Sequence, residues 1–262
     1  MKKIITLLLV ALMVVGLASC GTKEATESDL AYIKEKGVLV VGITDFAPMD
    51  YQDENGEWIG FDADMAKAFA EELGVTCKFV EINWDTKVNE LNSKSIDVVW
   101  NGMTLTNEVK KAMETSNPYC NNAQAVVVKA DAAADYMLVE NCAGLNFAVE
   151  SGSAGEEAVV ARDFNYVPVT TQADALMEVS ACTSDACVID LLMAGAMIGE
   201  GTSYENLAYT CELTTEEYGV GFRKGSDLAN ALNEFFVKAY ADGSMMACAE
   251  TYGVHASVIP QK

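Results

Sequence analysis

The sequence predicts an α/β protein of two lobes, each a mostly parallel sheet flanked by helices, with a ligand cleft between them. Three observations carry this. Apolar strand-like runs alternate with helical periods as βαβαβ from Val38 to Trp100. The alternation restarts after Tyr119 and yields a second unit of similar size. The tail from Ser226 to Tyr252 is helical without a sheet of its own, so it must complete one of the units. Two strands, near 123–129 and 218–222, then link the lobes. Lobe 1 is expected at 29–122 plus 220–262, and lobe 2 at 123–219. A cleft between two such lobes is the usual ligand site of open α/β sheets.

The elements follow in order. Leu30 to Lys36 reads as a short helix capped by Ser28 or Asp29 and stopped by Gly37. Val38 to Ile43 is a buried strand, and Asp53-Glu54-Asn55-Gly56 is a hairpin signal. Met65, Phe69 and Leu73 recur at helical spacing, so Phe61 to Leu73 is a helix ended by Gly74. Val75 to Ile82 is a strand, Thr86 to Leu91 a helix and Ile96 to Trp100 a strand. Asn101 to Val109, NGMTLTNEV, then reads as a Gly/Thr turn before an amphipathic helix. Free N–H groups and the helix dipole suit such a turn to an anion. In the second unit, strands are expected at Ala123–Lys129, Leu145–Val149, Tyr166–Val169, Ala186–Asp190 and Gly219–Phe222. Helices are expected from Glu156, over Ala173–Ala181 and after Asp190. The tail helices are expected to be capped at Ser226 and Ser244 and stopped at Gly253.

Composition narrows the function. The chain has 262 residues, 51% apolar, with a formal charge of −22. That acidity argues against nucleic acid as a partner, because phosphate binding needs a basic patch. Only two arginines occur, Arg162 and Arg223. The first 20 residues have a basic Lys2-Lys3 start and an apolar run from Ile4 to Leu17, the pattern of a secretory signal. The run ends in Leu17-Ala18-Ser19-Cys20, which resembles a bacterial lipobox with Cys20 as the lipidated residue. Acyl chains on Cys20 would hold the protein on the extracytoplasmic face of the cell membrane. Residues 21–28 are polar and read as a tether. Seven further cysteines lie at 77, 120, 142, 182, 187, 211 and 248. Their spacings lack CxxC and fit no zinc pattern, so no metal or cofactor is expected. Buried thiols are one reading of them and a Cys182–Cys187 disulfide another.

Six segments in order resemble a known family. They are YQDENGEWIGFDADMAKAFAEELGV at 51–75, INWDTKVNELNSKSIDVVWNGMTLT at 82–106 and TSNPY at 115–119. VESGSAGEEAV at 149–159, DACVIDLLMAGAMI at 185–198 and YGVGFRKGSDLANALNEFF at 218–236 complete the set. Together, behind a lipobox, they are similar to the extracytoplasmic solute-binding proteins of polar amino-acid ABC importers (family 3). The resemblance implies a type II periplasmic-binding-protein-like fold, a monomer that closes on a small solute and delivers it to an ABC permease. It implies that Phe46, with Asp45 beside it, covers the ligand and that Trp84 supplies a second aromatic face. Asn101, Gly102 and Thr104 would offer backbone and hydroxyl contacts. Gly152, Ser153 and Ala154 would face a ligand carboxylate, and Asp190 would hold a ligand amine. Capping is the rival role for Ser153 and Asp190, a turn role for Asp45 and core packing for Trp84 and Trp100.

Two departures bear on the ligand. Relatives carry an arginine that clamps the ligand carboxylate at the position of Val109, and a threonine at that of Ala154. Lysines at 87, 94, 110 and 111 are near in sequence but cannot offer a planar fork. The expected solute is therefore an amino acid held without that clamp, or an amine-like cation. An enzyme on the same fold is the alternative, through Asp45, Glu150 or Asp190, since the lone His255 has no nucleophile partner in sequence. A ligand sensor acting through a partner is the other.

Overall fold

The computed structural model describes residues 28–262. The signal segment, Cys20 and all but the last residue of the tether lie outside them. The first lobe opens with α1 (Asp29–Lys36), where the Ser28 hydroxyl accepts the Ala31 N–H and Gly37 ends the helix at φ 74°. It continues through β1 (Val38–Ile43), the hairpin β2 (Tyr51–Gln52) and β3 (Trp58–Ile59), α2 (Phe61–Leu73) and β4 (Thr76–Glu81). Next come α3 (Lys87–Asn92), β5 (Val98–Thr104), α4 (Asn107–Ala112), β6 (Glu114–Thr115) and β7 (Cys120–Asn122). The second lobe holds β8 (Gln124–Lys129), β9 (Asn146–Glu150), α5 (Ala154–Val160), β10 (Asn165–Val169), α6 (Gln172–Ser180), β11 (Ala186–Asp190), α7 (Leu191–Met197) and β12 (Leu207–Glu212). The chain then returns as β13 (Glu216–Phe222), α8 (Leu228–Ala241) and α9 (Ser244–Thr251).

The two sheets share one plan. The first runs β4-β1-β5-β13-β6 and the second β10-β9-β11-β8-β12. In each, three parallel strands stand in the order second, first, third. Each is then closed by an antiparallel strand that has just crossed from the other lobe, β13 on β5 and β8 on β11. The sheets are therefore mixed. The crossings run between Asn122 and Gln124 and between Glu212 and Glu216.

Several elements depart from the sequence expectation. Asn101 to Thr104 is strand, not turn: Tyr218 and Gly219 of β13 pair with Thr104 and Met103 and carry β5 four residues further. The helix that follows starts only at Asn107, with the Thr106 hydroxyl accepting the Val109 N–H. β12 was not expected: only Leu207 and Cys211 are buried, Tyr209 between them is exposed, and its register on β8 shifts between Tyr209 and Glu212. Ser226 and Ser244 do not occupy the cap positions of the tail helices, although the Ser226 hydroxyl accepts the Leu228 N–H at the start of α8 at 3.3 Å. Asp227 and Gly243 hold those positions, and the Asp227 carboxylate instead accepts from Ser28 Oγ and Leu30 N at 2.5 and 2.9 Å. The seven described cysteines are free, so Cys182 and Cys187 are not bridged. Cys187 lies mid-strand in the core, whereas Cys182 sits exposed on a left-handed turn residue at φ 62°.

The tail completes the first lobe. Phe236 of α8 packs on Trp100 of β5 at 5.6 Å, edge-on, and on Tyr119 at 5.5 Å, and all three are essentially fully buried. Arg223 pins the same region, pairing with Asp29 at 2.9 Å and donating to the Leu91 and Ile96 carbonyls. Truncating a fully buried phenylalanine costs about 3–5 kcal/mol. Phe236→Ala is expected to lose stability of that order in denaturant unfolding. A loss below about 1 kcal/mol would show that α8 is not what seals the first sheet.

Candidate functional site

The carboxyl ends of the parallel strands of both sheets face each other across a cleft, where open α/β sheets place their ligands. From the first lobe it is lined by Trp84 and Lys87 beyond β4, Asn101 to Thr104 at the end of β5, Thr106 and Val109. From the second come Gln124, Glu150 at the end of β9, Gly152 to Ala154, Glu157, Gln172 beyond β10 and Asp190 at the end of β11. About 430 Å³ between them is not filled by protein atoms, part of it open to solvent. The lobes touch at its rim. Ser151 Oγ donates to Asp85 Oδ2 at 3.0 Å, and a Cβ on Gly152 would lie 2.6 Å from Asp85 Oδ1. The structure is thus a closed form.

Trp84, Asn101, Gly102, Thr104, Val109, Ser153, Ala154 and Asp190 all reach this cleft. Asp45 and Phe46 do not line it. Asp45 is exposed and borders a shallow depression with Tyr51, Trp58 and Glu81. Phe46 is buried beneath β5, edge-on to Tyr218 at 6.3 Å and so close to Gly102 that a Cβ there would meet its ring at 2.4 Å. Gly102 accordingly has φ 54°, a conformation open to glycine. Trp100 lies in the core, as its place inside a strand suggested.

Most polar groups expected to meet a ligand are engaged within the protein. The Asn101 side chain bonds to Thr44 through its backbone and hydroxyl and to Asp50 Oδ2 at 2.7 Å. The Gly102 N–H donates inward to Asp62 Oδ2 at 2.7 Å. Thr104 donates its hydroxyl to Glu216 at 2.9 Å. The Ser153 hydroxyl caps α5 by accepting the Glu156 N–H at 3.2 Å, and the Gly152 N–H is taken by the Glu156 carboxylate at 2.7 Å. Asp190 makes no cap bond to α7. Its Oδ1 accepts from Asn122, Gln124 and Tyr218 at 2.5, 2.9 and 2.6 Å, and its Oδ2 from Gln172 at 2.6 Å.

Glu150 is different. It is 2% exposed and neither carboxylate oxygen has a hydrogen-bond partner. Burial first, then the neighbouring Asp190, push its pKa up to about 8, and the Gln172 amide and Trp84 indole beside it offset this only in part. Burial and Glu216 raise Asp190 to about 7. Lys87 is the cation among the lining residues. Its ammonium donates to the Trp84 carbonyl at 2.7 Å, 5.5 Å from the Trp84 ring centre, and burial lowers its pKa. Neither arginine lines the cleft: Arg223 is held as above and Arg162 donates to the Ala158 and Leu213 carbonyls. The sequence did not single out Glu150 as a ligand contact, nor Lys87, Gln124, Glu157 or Gln172. The signal for Glu150 was present: like Asp190, it is an acid that ends a buried strand.

A family model for bacterial extracellular solute-binding proteins, family 3, matches residues 39–255. The chain belongs to that family. It is 30% identical over 234 residues to the L-cystine-binding protein TcyJ of Escherichia coli (strain K12), covering 87% of each chain. A solved structure of a mutant ArgBP from T. maritima superposes with a TM-score of 0.80 at 33% identity, over 86% of this chain and 98% of that one. Over a shorter stretch, 56% of each chain, it is 29% identical to cyclohexadienyl dehydratase of Pseudomonas aeruginosa. The two-lobed fold of this family is the one described above.

Two outcomes follow from the closed geometry. Gly152→Ala should fold but resist closure, because the new Cβ meets Asp85 and the residue sits at φ 72°. Its ligand-free melting temperature should fall modestly, from the left-handed backbone, while affinity for any bound solute drops at least tenfold; unchanged affinity would mean that closure at this rim is not required. The second concerns pH. Asp62 and Asp190 at about 7 and Glu150 at about 8 all titrate above unfolded carboxylates. The folded protein holds protons that the unfolded chain releases, so stability is lost as pH rises from about 4 to 8. The ligand-free protein should melt several degrees higher at pH 5 than at pH 8, and the reverse order would contradict these buried acids.

Proposed function

We propose that the protein is the solute-capturing component of an ABC importer, anchored through Cys20 to the extracytoplasmic face of the cell membrane. It closes its lobes on an amino acid or amine-like solute and presents the closed form to a membrane permease. The observation that carries this is the cleft itself. It is assembled from both sheets, wrapped by two chain crossings and bridged at its rim by Asp85 and Ser151. Such a cleft stabilises the closed state only as far as a solute binds it better than the open one. The relatives named for L-cystine and ArgBP support an amino-acid-like solute. Val109 and Ala154 leave the cleft without the arginine and threonine that the resemblance led one to expect, which favours a solute not gripped by its carboxylate.

A second reading rests on a separate observation. Glu150 and Asp190 are adjacent buried acids with raised pKa values, and one relative is named as a dehydratase. That is also the setting of a carboxylate-dependent enzyme. Thermal unfolding against amino acids, polyamines and aromatic amines tests both. A solute present at 100 times its Kd should add about 2.7 kcal/mol of stability. A stabilising solute recovered intact after incubation fits capture. Its chemical conversion would replace the binder with the enzyme, and no shift with any small solute would sink the binding role.

A further inference from the structure

Among the described residues, Glu150 is the buried carboxylate whose two oxygens both lack a partner. A carboxyl group so placed is costly unless something pairs with it. No hydrogen bond in the protein reaches either oxygen: Lys87 is turned to the Trp84 carbonyl, the Gln124 and Gln172 amides bond Asp190, and Gln172 and the Trp84 indole only favour the Glu150 carboxylate from nearby. The indole N–H of Trp84, buried in the same cleft, is likewise without an acceptor. Asp190, by contrast, already has four protein donors. We propose that Glu150, rather than Asp190, receives a cationic nitrogen of the bound solute, an ammonium, guanidinium or amidinium. This rests on the solute-binding reading above and names the class of solute.

Three further features point the same way. Trp84 lines the same cleft as Glu150, and its ring, which the Lys87 ammonium approaches at 5.5 Å, can stack on a cation. The groove that shares Thr104, Thr106, Ala154 and Glu157 with the cleft is lined by Glu108, Glu157, Glu216 and Glu217 against the single cation Arg162, a net negative lining that draws cations inward. The backbone donors expected to hold an anion, the N–H groups of Gly102 and Gly152, are occupied by Asp62 and Glu156.

The pairing carries a proton with it. In the empty closed cleft Glu150 keeps its proton near neutrality, because burial, Asp190 and Asp174 outweigh Gln172 and Trp84; Lys87 is the cationic neighbour that opposes them. An arriving cation displaces that proton: Glu150 goes from carboxylic acid to carboxylate and one proton leaves to solvent. Affinity for a cation should therefore rise as pH increases toward about 8, by up to tenfold per unit, where Glu150 titrates.

Calorimetric titration of the wild type and of Glu150→Gln tests this. The cationic probes are agmatine, putrescine, L-arginine and L-lysine; L-citrulline and L-glutamine are uncharged in the side chain. The wild type is expected to bind at least one cationic probe at least a hundredfold more tightly than its uncharged counterpart, with affinity increasing from pH 6 to 8. Glu150→Gln should keep or raise the ligand-free melting temperature, lose at least tenfold in cation affinity and lose the pH slope. Undiminished cation binding with the same slope in Glu150→Gln would overturn the proposal. So would a wild type that binds only solutes without a cationic nitrogen, or that binds L-citrulline or L-glutamine with affinity and pH slope unchanged in Glu150→Gln; either outcome leaves the solute-binding reading standing. Failure of every small solute to bind would overturn both.

Discussion

The buried carboxylate of Asp190 holds the hinge together. Its donors come from both crossings: Asn122 from the outgoing segment, Gln124 from the strand just past it, and Tyr218 from the returning strand. Glu216, at the start of that returning strand, accepts from Asn122, Gln124 and Thr104. Two acids thus knit both crossings to the ends of β5 and β11. In a low-dielectric site such a network is strong when every member is satisfied and costly when one is not. Gln172 closes it from α6, with its amide on the Asp190 carboxylate and its carbonyl on the Asp190 N–H.

That hub decides what the rest of the cleft can do. Because the hinge engages Asp190, the group left to meet a solute is Glu150, the corresponding acid at the end of the neighbouring parallel strand. The first lobe follows the same logic. Asn101 ties β1 to β5 through Thr44, and Gly102 turns its N–H to Asp62, which Tyr119 also holds at 2.6 Å. The Gly102 and Gly152 N–H groups that would suit an anion are engaged by Asp62 and Glu156, and the charged lining of the void is three acids, Glu150, Glu157 and Asp190, against one lysine. The stretch NGMTLTNEV is therefore more wall than anion loop.

Much of this was legible. The helices over Leu30–Lys36 and Phe61–Leu73 and strand β11 to the residue follow from apolar spacing and glycine stops, and the tail, lacking a sheet of its own, had to complete a lobe. The resemblance to the family put Trp84, Val109 and Asp190 at one site, and all three line the cleft. The misses share a cause. The extension of β5 through Thr104, the strand β12 and the inward turn of Phe46 are set by distant partners: β13, β8, and Gly102 with Tyr218. No local pattern encodes them.

By itself, the sequence determined the class of fold, the family and the scarcity of arginine, since these depend on residue type, order and spacing. The tertiary structure decided which acid is free. Glu150 and Asp190 look alike in the chain: each is a carboxylate at the end of a buried strand. Only the crossing of two chain segments beside Asp190 surrounds it with donors and leaves Glu150 without any. Hydrogen-bond satisfaction is a property of neighbours in space, and here those neighbours come from both lobes.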